Sequence, residues 1–375
     1  MSDTGLTLLS TITEQGKLEI SLKALPIPEP KDNEVVIKVE ATPINPSDLA
    51  LLTSPSDAST GKTTGTGSDT VYSADVPVGL QKTVKARMGQ PLPVGNEGAG
   101  VVVKAGKSDA AQALLGKTVA AIGGGMYTQY RCLHVAQVML LKEGTTAREG
   151  ASSYVNPLTA LSFVENMKMD GFKGIVHTAA ASNLGQMLNK ICIADGINLV
   201  NIVRKEEQVK LLKDAGAKYV VNSNSESFKK DLVAAIKETE AYVCFDAIAG
   251  GSLGNDVLAC MEKAASTEAE QIGPYGSNTN KQLFIYGGLD SSPTVISRGF
   301  GFKWGINAWL LTPFLERAGV EIKTALQKRI VEEMTTTFAS TYQQELSLEG
   351  ALQASAVATY SKQATGEKFL INPSL

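Results

Sequence analysis

The sequence predicts a two-part α/β protein, in which a doubly wound parallel sheet fills the second half and a β-rich, irregular part precedes it. Three observations carry this. Residues 174–205 read as strand, small-residue turn, helix and strand. Five short, nearly continuous apolar runs separated by helical stretches lie between residues 174 and 288, the pattern of strands buried on both faces of a parallel sheet. Residues 6–141 instead hold short alternating runs broken by Gly, Pro and Asp, which suit an antiparallel barrel.

The first strand of the second half is Gly-Ile-Val-His at 174–177, followed by the turn 178–183, a helix opening at Leu184-Gly185, and a second strand at 198–203 that ends in Arg204-Lys205. This order sets helix N-terminal amides where a pyrophosphate can rest, and a side chain at the second strand's end near an adenine ribose. The GxGxxG fingerprint is partial: Gly185 holds its last position, while Ala180 and Ser182 hold the earlier two. Both are small enough for close backbone approach, and the Ser hydroxyl can donate to an oxygen. A charged helix at 206–215 closes at Gly216, and a strand at 219–222, a helix at 227–237, a strand at 242–246, a helix at 252–265 and an apolar run at 283–288 complete the series.

Arg204 and Lys205 select the cofactor. A free ribose 2′-hydroxyl is served by an acidic residue at this point, whereas a 2′-phosphate needs cations. Arg204 lies nineteen positions after Gly185 with no acid before Glu206, so NADPH is the expected ligand. A charge-assisted hydrogen bond contributes about 1.5–3 kcal/mol, roughly ten- to a hundredfold in preference over NADH. The plainer reading is that the two cations begin a solvated helix face.

Composition sets the remaining bounds. The 375 residues are 43% hydrophobic and 19% charged, with a formal net charge of -3, which argues against nucleic-acid and anionic-membrane partners. No apolar run approaches the ~20 residues that span a bilayer, and the N-terminus lacks a basic-then-apolar leader, so a cytoplasmic location is expected. Cys132, Cys192, Cys244 and Cys260 show no paired spacing, and His134 and His177 are the two histidines. Reduced thiols are expected, and no zinc ligand set can be assembled. Residues 53–73 are too poor in apolar side chains for core, so a surface loop or lid is expected there; Gly-Lys-Thr-Thr at 61–64 lacks the strand and spaced glycine of a phosphate loop.

Five motifs occur in order: Ala41-Thr-Pro-Ile-Asn45-Pro46-Ser-Asp48, Gly95-Asn96-Glu97-Gly98-Ala99-Gly100, Gly124-Gly125-Met126-Tyr127-Thr128-Gln129-Tyr130, Asn156-Pro157-Leu158-Thr159-Ala160, and the strand-turn-helix around Gly185. Together they resemble the medium-chain dehydrogenase/reductase superfamily, in its zinc-independent quinone oxidoreductase and enoyl reductase branch. In zinc-dependent relatives a cysteine stands near the Asn45 position and a histidine at the Asn96 position. The resemblance implies a GroES-like β-barrel domain over residues 1–150 and 325–375, with a helix at 331–342 and a final strand at 366–371. It also implies a Rossmann NADP(H)-binding domain over 151–324, and an active cleft between the two.

The same resemblance assigns residues. Asn45 should face the nicotinamide, Thr159 the ribose or diphosphate, Ser182, Asn183 and Leu184 the pyrophosphate, Arg204 and Lys205 the 2′-phosphate, and Gly287, Gly288 and Leu289 the nicotinamide. Duller readings stand beside these: Asn45-Pro46 as a turn, Thr159 as the cap of a helix over 160–167, and the two glycines as a strand end. The implied chemistry is hydride transfer from NADPH to a quinone or activated alkene. In enoyl reductases of this branch a tyrosine soon after the Asn-Pro motif donates the proton. Residues 51–57 contain none, which lowers the enoyl thioester reading; Tyr72 is the one nearby candidate, with an exposed loop residue as the alternative. A NADPH-binding protein with little turnover is the rival class. A homodimer is expected, with the segment before Ser291 offered as its edge strand. The aromatic run at 299–315 lines the cleft, forms a subunit contact, or packs in the core.

Overall fold

The computed structural model describes residues 3–267, 269–270, 273–362 and 368–375. It divides into two compact units, Met1–Val155 with Ile330–Leu375, and Asn156–Arg329.

In the second unit six parallel strands lie in the order Tyr219–Asn222, Asn198–Val203, Gly174–His177, Val243–Asp246, Lys281–Ile285, Trp304–Ala308. Chain direction across the sheet reverses at Gly174–His177, which pairs with the strand that follows it on one side and with Val243–Asp246 on the other. That is the doubly wound arrangement, with its switch point beyond the carboxyl ends of those two strands. Helices Asn183–Asp195, Glu206–Asp214, Phe228–Thr239 and Leu253–Ala265 connect the strands. Their buried faces follow from the sequence: in Phe228–Thr239, for example, Phe228, Leu232, Ala235, Ile236 and Thr239 recur at helical spacing and are buried.

The sixth strand is a finding of the structure. Trp304–Ala308 pairs with Lys281–Ile285 along all five residues, although Gly305 and Asn307 are weak strand formers. The aromatic run around it divides: Phe300, Trp309 and Phe314 are buried, whereas Phe302 and Leu310 are exposed. The sheet edge is therefore 304–308 and not the segment before Ser291. Asp290–Thr294 pairs instead with Ala249–Gly251 in a separate two-stranded sheet.

The first unit contains two sheets. One runs Asp57–Thr64, Val71–Asp75, Lys17–Pro26, Thr4–Ile12, Leu92–Pro93. The other runs Val138–Leu140, Thr118–Ile122, Glu97–Ala105, Glu34–Pro43, Phe369–Ile371, Gln344–Leu346, with Tyr130–His134 also paired to Glu34–Pro43. The expected surface loop at 53–73 is corrected here, because Asp57–Thr64 and Val71–Asp75 are strands of the first sheet. Thr63 donates to the Leu352 carbonyl, and Gly67 N–H and Thr70 Oγ1 donate to Glu349, so this stretch is stitched to the C-terminal segment and is no lid. Propensity misled because Thr and Ser alternate suitably for a half-exposed strand while supplying little apolar surface.

Two C-terminal expectations change as well. A helix at 331–342 does not form: Leu311–Glu333 is helical apart from a break at Gly319, and residues 334–338 are turn. Of the final strand expected at 366–371, Phe369–Ile371 is a strand, and 366–367 lie outside the described residues. The four cysteines are unpaired. No helix among the described residues is long and apolar enough to cross a membrane.

Candidate functional site

In the second unit residues 178–185, 204–205 and 287–289 each follow a strand of the parallel sheet, at its carboxyl edge. The turn after Gly174–His177 holds Ala179 at φ 50°, a left-handed conformation that non-glycine residues seldom adopt. Ser182 is the N-cap of Asn183–Asp195, its hydroxyl accepting from the Gly185 N–H at 3.1 Å. Gly185 is required by packing: a Cβ there would lie 2.2 Å from the Ala180 carbonyl oxygen. Asn183 and Leu184 form the first helical turn behind this cap, where N–H groups and the helix dipole favour an anion.

Arg204 and Lys205 follow strand Asn198–Val203 and are exposed. The backbone of Arg204 is tied down, its N–H donating to Gln208 Oε1 at 3.2 Å and its carbonyl accepting from Asn224 Nδ2 at 2.8 Å. Among the described residues no hydrogen bond or ion pair engages either charged group. Glu206, the nearest acid in sequence, is turned toward Asn222. The result is an exposed pair of cations on a fixed backbone, a suitable reception for a phosphate.

Gly287 lies close against its neighbour, since a Cβ would meet the Ala247 carbonyl oxygen at 2.7 Å, while Gly288 has open space around its Cα. Leu289 donates its N–H to the same Ala247 carbonyl at 3.0 Å and is 43% exposed. Thr159 is buried in the helix Val155–Met169. That helix starts four residues earlier, so Thr159 is not its cap; it stands one turn before Phe163, which stacks on Phe245 at 4.0 Å.

A network unmarked by the sequence reading braces this edge. Asp246 is buried; its carboxylate accepts from Thr178 Oγ1 at 2.6 Å, from Ile248 N–H at 2.9 Å and from Ala249 N–H at 3.1 Å. Thr178 Oγ1 in turn accepts from the Ala247 N–H at 2.8 Å. His177 Nε2 and Tyr286 Oη pair at 2.8 Å, and burial pushes the His177 pKa down to about 3, so this imidazole is neutral and structural. The available signal was an acid closing an apolar strand ahead of Ala-Ile-Ala-Gly-Gly.

In the first unit Asn45 precedes the helix Pro46–Leu52 and is 2% exposed. Its N–H donates to Asp48 Oδ2 at 2.8 Å and its Nδ2 to Glu97 Oε1 at 2.8 Å. Glu97 Oε2 accepts from the N–H groups of Tyr154 and Val155, both at 2.9 Å, and Asp48 Oδ1 accepts from Asn96 N–H at 2.8 Å. Burial raises both carboxyl pKa values, that of Asp48 to about 7, and the nearby Glu97 charge adds to it. Lys368 also contributes a buried ammonium, whose pKa burial lowers to about 8. Asp48, Glu97 and Lys368 were not singled out as site residues from sequence, since an isolated acid or lysine in a β-rich stretch reads as surface.

Tyr72 is a correction. It lies in strand Val71–Asp75 with no exposed surface, inside the core that includes Leu49, Leu52 and Tyr127. Its hydroxyl is buried without a hydrogen-bond partner among the described residues, and a Cβ at Gly61 would sit 2.3 Å from it. Burial first, and then the Asp57 charge, raise its pKa. A hydroxyl so enclosed belongs to the core and not to an exposed loop.

Comparison with known proteins gives concordant results. Residues 31–143 match the alcohol dehydrogenase GroES-like domain family, and residues 183–269 the zinc-binding dehydrogenase family. A mitochondrial enoyl-[acyl-carrier-protein] reductase of Xenopus tropicalis is 24% identical over 284 residues, 74% of this chain and 68% of that protein. A second such reductase, from Candida tropicalis, is 24% identical over 80% of this chain and 74% of its own. Among solved structures, a proposed NADPH:quinone reductase from Mesorhizobium loti aligns with TM-score 0.74 and 25% identity, over 100% of this chain and 99% of the other. Enoyl thioester reductase from Candida tropicalis shares the fold at TM-score 0.68 and 20% identity, over 98% and 99%.

The zinc in one of those family names does not fit the side chains present. Asn45 and Asn96 offer amides, one committed to Glu97 and the other, through Nδ2, to Ser47 Oγ at 3.1 Å. Among the described residues no group of three His, Cys, Asp or Glu side chains is placed to hold a metal.

Proposed function

The chain belongs to the medium-chain dehydrogenase/reductase superfamily, and on that premise we propose that it is an NADPH-dependent, zinc-independent reductase whose acceptor is a quinone or a small activated alkene. The observation that carries this reading is the fixed, exposed pair Arg204 and Lys205 at the end of the second strand, with the capped turn at 178–185 beside it. Ser182, Asn183 and Leu184 would hold the diphosphate, Arg204 and Lys205 the 2′-phosphate, Gly287, Gly288 and Leu289 the nicotinamide end, Thr159 the ribose or diphosphate, and Asn45 the nicotinamide. The crowding at Gly185 and Gly287 supports this, because backbone approaches without Cβ atoms leave a shallow cradle.

Bound NADPH would supply the hydride. The protein's part is to position the acceptor, exclude water and polarise the accepting oxygen. The helix Pro46–Leu52 and the residues just after it contain no tyrosine, and Tyr72 lies in the core. This favours an acceptor that solvent can protonate over an enoyl thioester. The names of the enoyl reductase relatives favour the second reading, so the test compares the two: NADPH consumption is followed with benzoquinones and naphthoquinones, small enones, and enoyl thioesters. Turnover confined to quinones and enones is the expected result. Preference for enoyl thioesters would replace the proposal, and tight NADPH binding with every acceptor inert would leave a cofactor-binding protein.

Assembly through the strand Trp304–Ala308 belongs to the same proposal. As the open edge of a parallel sheet it presents unpaired backbone groups. Two copies paired antiparallel about Ile306 would set Trp304 opposite Ala308 and Gly305 opposite Asn307, large against small, in a self-complementary contact.

A further inference from the structure

Three non-glycine residues among those described stand at positive φ: Glu240 at 50°, Ala179 at 50° and Ala249 at 67°. Glu240 is the left-handed cap of helix Phe228–Thr239, an ordinary place for that conformation. The two alanines lie elsewhere, just past the carboxyl ends of the paired parallel strands Gly174–His177 and Val243–Asp246. A left-handed alanine is disfavoured by its own Cβ, so each of these turns needs neighbours that hold it.

Asp246 is the group common to both. Its Oδ2 accepts from the N–H of Ala249 itself at 3.1 Å, and its Oδ1 from Ile248 N–H at 2.9 Å and from Thr178 Oγ1 at 2.6 Å. Thr178 adjoins Ala179, and its hydroxyl oxygen accepts from Ala247 N–H at 2.8 Å. One carboxylate and one hydroxyl thus lace the two turns together. Asp246 is 1% exposed and Thr178 0%, so water does not compete for these bonds. All three groups that reach the carboxylate are donors, and an NH2 in place of either oxygen would set donor against donor.

From these turns the contacts run outward. The Ala179 carbonyl accepts from Ser182 N–H at 2.9 Å and so places the capping serine. The Ala247 and Ile248 carbonyls accept from the N–H groups of Leu289 and Asp290, both at 3.0 Å, and so place the segment that begins at Gly287.

We propose that Asp246 is a positioning residue for the cofactor: directly and through Thr178 it enforces the left-handed alanines at 179 and 249, and thereby holds in one arrangement the turn given above to the diphosphate and the segment given to the nicotinamide end. The identity of the ligand rests on that cofactor reading; the clamp on the two turns does not.

The test uses the full chain with Asp246→Asn, Ala249→Gly and their double. Three quantities are read: affinity for NADPH, affinity for adenosine 2′,5′-bisphosphate, and stability to denaturant. The bisphosphate lacks the nicotinamide nucleoside, and its 2′-phosphate falls to Arg204, whose backbone is held by Gln208 and Asn224 instead. Asp246→Asn should lower NADPH affinity about tenfold, because an unsupported alanine holds the left-handed form in only a fraction of chains, with a smaller loss for the bisphosphate. Glycine adopts that form without the cost of a Cβ. Ala249→Gly should therefore restore NADPH affinity about threefold or more in the Asp246→Asn background and change it less than about twofold in the natural one.

Stability should respond in the opposite sense. Glycine relieves strain only where the turn is forced, so Ala249→Gly should be more favourable with Asp246 present than in the Asp246→Asn background. Unchanged NADPH affinity in Asp246→Asn, equal losses for the two ligands, no recovery by Ala249→Gly, or stability effects that simply add would each overturn the proposal. If Asp246→Asn does not fold, the same comparison is made with Thr178→Val, which removes the shared hydroxyl, and with Ala179→Gly as the rescuing change; the same results support or overturn it. Should the natural protein bind neither ligand, the cofactor reading fails alone, and the additivity of the stability effects still decides the clamp.

Discussion

Arg204 shows how much a single side chain can decide. Its guanidinium is exposed and unengaged among the described residues while its backbone is held on both sides, so binding a phosphate requires little reordering. Replacing Arg204 and Lys205 together with alanine should weaken NADPH about ten- to a hundredfold while leaving NADH affinity nearly unchanged; isothermal titration with both cofactors measures this. Asp48 makes a second prediction at this scale. Its carboxyl pKa rises from 3.8 to about 7 in the folded chain, burial being the main cause. The folded state therefore holds a proton that the unfolded state releases. Stability from this group is complete below about pH 3.8 and is lost as pH rises through about 7. Unfolding midpoints should accordingly fall as pH rises from 3.8 to about 7, and Asp48→Asn should flatten that fall, even though it weakens the hydrogen bond from the Asn45 N–H.

At the level of elements, two ties hold segments that the sequence reads as loose. Arg87 lies in the 3-10 stretch Val78–Arg87 and donates to the carbonyls of Ala50, Leu51 and Ser54 at 3.4, 2.8 and 3.2 Å. It closes the carboxyl end of the helix that follows Asn45, where a cation also suits the helix dipole. Arg87→Met should cost about 1.5–3 kcal/mol, the range for hydrogen bonds with a charged partner, in denaturant unfolding. In the second unit Lys281 is buried and pairs with Glu262 at 2.8 Å, also donating to Ser277 Oγ and the Thr279 carbonyl. Gly276 and Gly301 let their backbones approach that carboxylate, since a Cβ would come within 2.5 and 2.3 Å of it. Lys281→Met would strand a carboxylate and should destabilise by about 3–5 kcal/mol, readable as a lowered unfolding midpoint; Lys281→Met with Glu262→Gln should recover part of the loss.

For the whole molecule, the open edge Trp304–Ala308 controls assembly in the reading given above. Trp304→Lys places a charge on that edge and should shift the chain toward monomer in sedimentation, with NADPH affinity retained. A dimer that survives the change would locate the contact elsewhere.

The sequence by itself determined the parallel sheet and the place of the small-residue turn before its first helix, because both are written locally: nearly continuous apolar runs mark strands buried on two faces, and small residues before a helix mark close backbone approach. Arg204 and Lys205 were legible for the same reason, being adjacent to a strand whose end is visible in the sequence. Tertiary structure alone decided what depends on partners distant in the chain. Tyr72 became core because Lys17–Pro26 and Asp57–Thr64 flank its strand. Trp304–Ala308 became a strand because Lys281–Ile285 offered it an edge. Asn45 and Glu97 meet across 52 positions of sequence separation, and no local pattern encodes the burial that brings an amide and a carboxylate together there.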